Sequence, residues 1–252
     1  MDDTVNICRN YTDKIRVVDR HGSGLQKQQA LDIATQPWVL NIDADERISE
    51  SLKKEICAAL EHNEDVDGYH IPRISWFLGR EIRYCGWQND RPLRLFKRKK
   101  TSVTETQVHE GFLVEGSLET MTNPIIHEAY KSLYQYIEKL NEYTSIEVRN
   151  RLRAHPDRRI GWIHIVLAPL GTFWKLFVVK SGYRDGLRGL LLCMLSSMSQ
   201  MIGYAKVWEY QMRHKSGERY FPPIRTEEVR SRQPGYNKLH QGGDEEFHWD
   251  DA

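Results

Sequence analysis

The chain has 252 residues, of which 40% are hydrophobic and 28% charged, enough for one full domain or a domain with a helical annex. Lys and Arg total 36 against 35 Asp and Glu, a balance that excludes the basic excess of a general nucleic-acid binder. Seven Trp, twelve Tyr and seven Phe exclude a wholly disordered chain.

Asp3 or Thr4 can cap a short helix over residues 5–11. Ile15 to Val18 reads as a short strand and Gly22-Ser23-Gly24 as a turn. Leu25 to Thr35 then reads as a helix, with Leu25, Ala30, Leu31 and Ala34 on its inner face. Trp38 to Ile42 is a buried-type strand that runs into Asp43-Ala44-Asp45-Glu46. Ser49 can cap the next helix, where Leu52, Ile56, Ala59 and Leu60 recur at helical spacing. This alternation is the grammar of a parallel α/β sheet. Gly68 to Trp76 and Leu93 to Phe96 read as further strands, joined by a loop over Gly79 to Arg91. Leu133, Ile137, Leu140 and Tyr143 mark an amphipathic helix.

Two later stretches are apolar, Ile160 to Val179 and Leu187 to Ala205, each near the length that spans a bilayer. Both are impure: His164, Pro169 and Lys175 interrupt the first, Arg188 and Gln200 the second. They read as a spanning hairpin, as helices lying in the membrane interface, or as core helices. Arg149, Arg151, Arg153, Arg158 and Arg159 precede the first, as suits an anionic inner leaflet or a solvated helix face. From Glu218 onward, Pro-Pro, Pro-Gly and Gly-Gly pairs and an acidic cluster read as a flexible extension. The expected organisation is therefore a catalytic domain over 1–130, a helical region over 131–215 and a tail over 216–252. Met1-Asp2-Asp3 is acidic and no apolar run follows, so no secretory signal is expected. Cys8, Cys57, Cys85 and Cys193 form no C-x-x-C pair, which argues against a zinc ribbon and for a reducing cytosol.

Asp43-x-Asp45 sits where an apolar strand ends, the place where open α/β sheets bind ligands. Two carboxylates at such a turn can converge on a divalent cation that steadies a diphosphate leaving group. An EF-hand counted from Asp43 would need Gly and Glu where Ile48 and Lys54 stand. An aspartyl phosphatase is disfavoured by Arg47 at the fifth position of its motif.

The run GSGLQKQQALDIATQPWVLNIDADERIS, followed by CGWQNDRPLRLFKR, VHEGFLVEG and the segment Pro124 to His127, resembles family 2 glycosyltransferases of the GT-A fold. Within that family it is similar to the lipopolysaccharide-core β-glucosyltransferase group. The resemblance reaches about Arg213. It implies a Rossmann-like α/β GT-A domain, N-terminally truncated, because Asp2-Asp3-Thr4 looks like the end of the family's second strand motif. It implies a cytoplasmic enzyme at the inner membrane face, moving a hexose from a UDP-sugar to an inner-core heptose with inversion. A second reading is a catalytically inactive remnant that docks on a membrane or a partner.

In the family reading Asp43 approaches the ribose or the metal, and Asp45 ligates Mn²⁺ or Mg²⁺. Glu46 and Arg47 brace the loop. Lys27, at a helix start, meets a phosphate or is solvated. Glu110 in Val108-His109-Glu110-Gly111 is the candidate general base, with His109 orienting it and Asp90 as the runner-up. Their alternative is a strand end with no chemistry. His127 is a metal ligand or a structural His. Trp87 stacks on an acceptor sugar or packs. Arg91 is read with the donor site, and Arg91, Arg94 and Lys97 to Lys100 form a basic cluster for phosphorylated sugars or lipid headgroups, or a charged hairpin edge.

Overall fold

The computed structural model describes residues 3–17, 23–62, 65–103, 111–156, 158–218, 220 and 222. The chain divides into two compact units, residues 1–136 with 170–198 and residues 137–169 with 199–252.

The first unit opens with helices α1 (Thr4–Arg9) and α2 (Ser23–Ile33), then strands β1 (Trp38–Leu40) and β2 (Glu46–Ile48), helix α3 (Glu50–His62) and strand β3 (Gly68–His70). Strands β4 (Arg73–Phe77), β5 (Arg80–Ile82), β6 (Leu93–Lys97), β7 (Thr101–Val103), β8 (Phe112–Val114), β9 (Leu118–Thr120) and β10 (Ile125–Tyr130) complete it. One sheet has the order β1-β6-β3-β9, a second β2-β10-β4-β5, and β7-β8 form a ribbon.

Strand pairing corrects the expectation of a parallel sheet. Among the described residues β3–β9 and β10–β4 are parallel, while the other five pairs are antiparallel. The hairpin is one reason. Phe77 faces Arg80 across a two-residue turn, Leu78-Gly79, whose φ angles are 49° and 74°. Positive φ at both central residues matches the twist of an antiparallel pair. The expected Gly79–Arg91 loop thus begins with a strand. The expected Gly68–Trp76 strand is two strands broken at Ile71-Pro72. Pro72 has no N–H to give a ladder, and the chain passes there from one sheet to the other. Ile15 to Val17 form no strand; Ile15 N–H instead donates to Asp13 O at 2.9 Å. Val18 lies outside the described residues.

Helix α3 forms for the expected reasons. Ser49 Oγ accepts the Leu52 N–H at 3.2 Å, and Leu52, Ile56 and Ala59 are buried on one face. Leu60 is a correction, since it is 43% exposed. In α2, Leu31 is buried but Ala30 faces solvent.

Leu52, Ile56, Ala59, Val66, Tyr69 and Ile71 form a core against which Trp38, Leu40 and Ile42 pack. Val39 packs on a second cluster of Leu31, Phe96 and Val114. β1 is therefore covered on both faces, which accounts for its unbroken apolar run. That double anchoring holds the turn that follows.

Helices α4 (Leu133–Ala154), α5 (Trp162–Trp174) and α6 (Gly186–Lys215) follow, and a five-residue π-helical turn, Lys175–Val179, extends α5. In the second unit Val148, Leu152, Ile160 and Val207 form a core. Lys206 Nζ donates to Thr144 Oγ1 and Ser145 Oγ, both at 2.8 Å, tying α6 to α4 there. Two stretches, Trp162–Val179 and Gly182–Lys215, are long and apolar enough to cross a membrane. Only 6% of the first window is buried, so among the described residues it does not serve as a core helix. Most of the extension read from residue 216, from 223 onward, lies outside the described residues.

Candidate active site

The turn after β1 is closed by two reciprocal bonds. Glu46 N–H donates to Asp43 O, and Asp43 N–H donates to Glu46 Oε2, both at 3.0 Å. The Glu46 side chain has no solvent exposure. Its Oε1 accepts from Arg94 Nη2 at 2.5 Å and from Arg73 Nη1 at 3.3 Å. Arg94 Nη2 also donates to Asp43 Oδ2 at 2.6 Å, and Arg73 Nε donates to Asp90 Oδ2 at 2.6 Å. Three carboxylates thus alternate with two guanidiniums in the order Asp43, Arg94, Glu46, Arg73, Asp90. Burial of a charge is tolerable only with such pairing, because desolvation costs several kcal/mol per ion. Glu46 braces the loop as expected. Arg47 is turned outward to Glu128, at 3.4 Å.

The basic-cluster reading needs a correction at Arg94. Its side chain is buried and engaged with Asp43 and Glu46, so it presents no surface to a phosphate or headgroup. Lys97 Nζ is held by Asp67 Oδ1 at 3.0 Å. The Lys97 ammonium, then the Ser117 amide, hold the Asp67 carboxyl below the usual range. Arg91 is exposed.

Asp45 takes a different direction from Asp43. Its Oδ2 lies 3.6 Å from His127 Nε2, and its carbonyl accepts the Glu128 N–H at 2.9 Å. His127 stands opposite Glu46 in the β2–β10 ladder and opposite Ser75 in β10–β4. The buried Ser75 Oγ lies 3.0 Å from His127 Nδ1 and orients the ring. Asp45 and His127 come together through strand register, although 82 positions separate them.

His127 lines a cavity of about 500 Å³, with Ser75, Trp87, Asn89, Asp90 and Tyr130 in its walls. Trp87 follows Cys85 and Gly86, both at positive φ (61° and 87°). The loop is held from behind: Asp185 accepts the Arg83 and Tyr84 N–H groups at 3.1 and 2.9 Å. Burial pushes the Cys85 thiol up, and it stays a packing group 3.7 Å from Cys193 Sγ. Asp90 Oδ2 is engaged by Arg73; no partner for Oδ1 is present among the described residues. Lys27 Nζ lies 6.0 Å from the Phe112 ring centroid. His109 and Glu110 lie outside the described residues.

Residues 1–115 match the sequence model of glycosyl transferase family 2. The chain carries a family 2 glycosyltransferase domain. That domain implies the GT-A fold, a nucleotide-sugar donor and a glycan acceptor. Among relatives, the chain is 27% identical over 186 residues to the lipopolysaccharide core biosynthesis glycosyltransferase LpsC of Rhizobium meliloti (strain 1021). That likeness covers 73% of this chain and 68% of the relative. An uncharacterized glycosyltransferase, RT0209, of Rickettsia typhi (strain ATCC VR-144 / Wilmington) is 23% identical over 226 residues, 85% of this chain and 77% of its own.

No cluster of three or more His, Cys, Asp or Glu able to hold a metal occurs among the described residues. One carboxylate and one imidazole do converge at Asp45 and His127. That donor pair fits a cation of the Mg²⁺ or Mn²⁺ kind, which takes one or two protein ligands and fills its shell with phosphate oxygens and water. Sequence reasoning missed Arg73, Ser75 and Asp185. The signal for Arg73 and Arg94 was available: a lone Arg inside an otherwise apolar strand needs a buried counter-charge.

Proposed function

We propose that this glycosyltransferase moves a hexose, glucose from UDP-glucose, onto a heptose of lipopolysaccharide inner core with inversion at the anomeric carbon. The supporting observation is the approach of Asp45 to His127, 3.6 Å apart, where His127 lines a cavity large enough for a sugar. The name of the Rhizobium relative, a lipopolysaccharide core biosynthesis glycosyltransferase, supports the acceptor class.

In this reading Asp45 and His127 would hold a divalent cation, which would supply positive charge to offset that of the diphosphate. Asp43, fixed by Arg94, meets the ribose, and Lys27 and Arg91 meet donor phosphates. The acceptor hydroxyl oxygen forms a bond to the anomeric carbon while the carbon–oxygen bond to the diphosphate breaks. Its proton passes to Glu110, oriented by His109, and UDP leaves with the bonding pair. Asp90, already bound to Arg73, accepts hydrogen bonds from acceptor hydroxyls, and Trp87 stacks on the acceptor ring. The catalytic domain spans 1–130, the helical region 131–215 and the extension 216–252. Because the acceptor is a glycolipid, the enzyme works at the cytoplasmic face of the inner membrane.

UDP release from UDP-glucose with a heptose-containing acceptor tests this. Metal-dependent release that disappears in Asp45→Ala is expected. No release with any UDP-sugar, together with UDP binding indifferent to Asp45→Ala, would sink the assignment.

A further inference from the structure

The second unit contains a small cavity of about 180 Å³ that the transfer reaction does not use. Leu152 and Ile160 line it with apolar surface, and Arg151, His155 and Arg158 supply basic groups. Arg151 is shared: it meets Glu147 Oε1 at 2.5 Å and lies 5.1 Å from the Tyr204 ring centroid. The Arg158 and His155 side chains are exposed and have no partner among the described residues. From 149 to 159 the sequence holds five Arg and one Asp.

Helix α5 begins two residues after Ile160, and its His164 ring lies 5.9 Å from Tyr204 in the cavity wall. Its first two turns then expose Trp162 (71%), Ile163, Val166 and Leu167 (56%). These positions, i, i+1, i+4 and i+5, make one continuous helix face. A cationic pocket with an apolar floor, beside an apolar face edged by a Trp, matches the layers of a bilayer surface: phosphate outside, acyl chain beneath. A soluble anion would leave the α5 face uncovered, and an apolar partner would leave the arginines unmatched.

We propose that this cavity and the adjoining α5 face form a binding site for anionic phospholipid. Arg158 and His155 meet the headgroup phosphate while Trp162, Ile163, Val166 and Leu167 enter the interface. The site rests on the membrane-surface reading given above and makes it specific as to lipid charge and residues.

Co-sedimentation of the full chain with vesicles of phosphatidylcholine, alone or mixed with phosphatidylglycerol, tests it. Binding should be at least about tenfold tighter to the mixed vesicles and should weaken as salt rises. Arg158→Ala should reduce it about fivefold, and Trp162→Ser should reduce binding to both vesicle types. Both variants should keep the parent melting temperature and UDP release with a soluble heptose acceptor. Equal binding to neutral and anionic vesicles, or no effect of Arg158→Ala, overturns the site. So does resistance to alkaline extraction, which would mean a spanning helix, or a stable dimer that vesicles fail to compete. Loss of UDP release on every acceptor with anionic binding intact would refute the reaction and leave this site supported.

Discussion

Glu46 is a carboxylate with no solvent exposure, whereas Trp162 is a large aromatic with 71% of its surface exposed. Each reverses the usual sorting of side chains, and the difference between the two regions shows what each is for. At the turn after β1 the buried charges are matched one by one, so that a single carboxylate fixes Arg94 on Asp43 and Arg73 on Asp90. Such a network is costly to assemble, and well-packed apolar residues would serve stability as well. What it secures is geometry at the turn where the charged donor is proposed to bind. On α5 no described residue covers the exposed apolar surface, at about 1.5–3 kcal/mol per side chain left unburied.

The comparison breaks most severely at Glu46. Glu46→Ala would leave two guanidiniums without their shared partner. It should destabilise the fold by about 3–5 kcal/mol, read as a fall in the urea midpoint. A change below 1 kcal/mol would mean that the turn is not organised by this carboxylate.

Asp45→Asn separates chemistry from stability in the same turn. Transfer should fall about a hundredfold, and the melting temperature should hold, because the Asp45 side chain is 37% exposed and braces no core. Equal loss of stability and activity would place Asp45 with Glu46 as a structural residue.

Gly182→Ala probes the packing behind the Trp87 loop. A Cβ there would sit 2.7 Å from Cys193 Sγ and 2.9 Å from Leu176 O. The expected cost is about 1–3 kcal/mol, with a rise in acceptor KM larger than any change in kcat. An unaltered KM would show that the loop is not held from that side.

The smallest effect belongs to Glu55, a paired carboxylate at the surface. Burial acts to raise its pKa, but the Thr122 and Asn123 amide donors, at 2.7 and 2.8 Å, outweigh it and hold the carboxyl below its ordinary value. A depressed folded pKa contributes stability above the unfolded value, about 4.3, that is lost as pH falls through the folded pKa. Glu55→Gln should therefore cost about 1 kcal/mol at neutral pH. Its difference from the parent should shrink in acid, as urea titrations across pH would show. A constant difference would assign the effect to shape alone.

Local features were readable from the chain in order. The apolar run of β1, the carboxylates that end it, the Ser49 cap and the helical spacing of Leu52, Ile56 and Ala59 all act within a few residues. The family resemblance carried the GT-A fold. What lay beyond local reading was partnership. Arg94 is 51 positions from Asp43, and Ser75 is 52 from His127; both pairs meet only through strand register. For the same reason a basic cluster counted along the sequence included an Arg whose charge is spent inside. In α5 the apolar composition was plain, but which face stays uncovered depends on what the rest of the chain packs against. Sequence determines each segment's period and termini because those forces are short-ranged, whereas charge pairing and exposure depend on the neighbours that folding supplies.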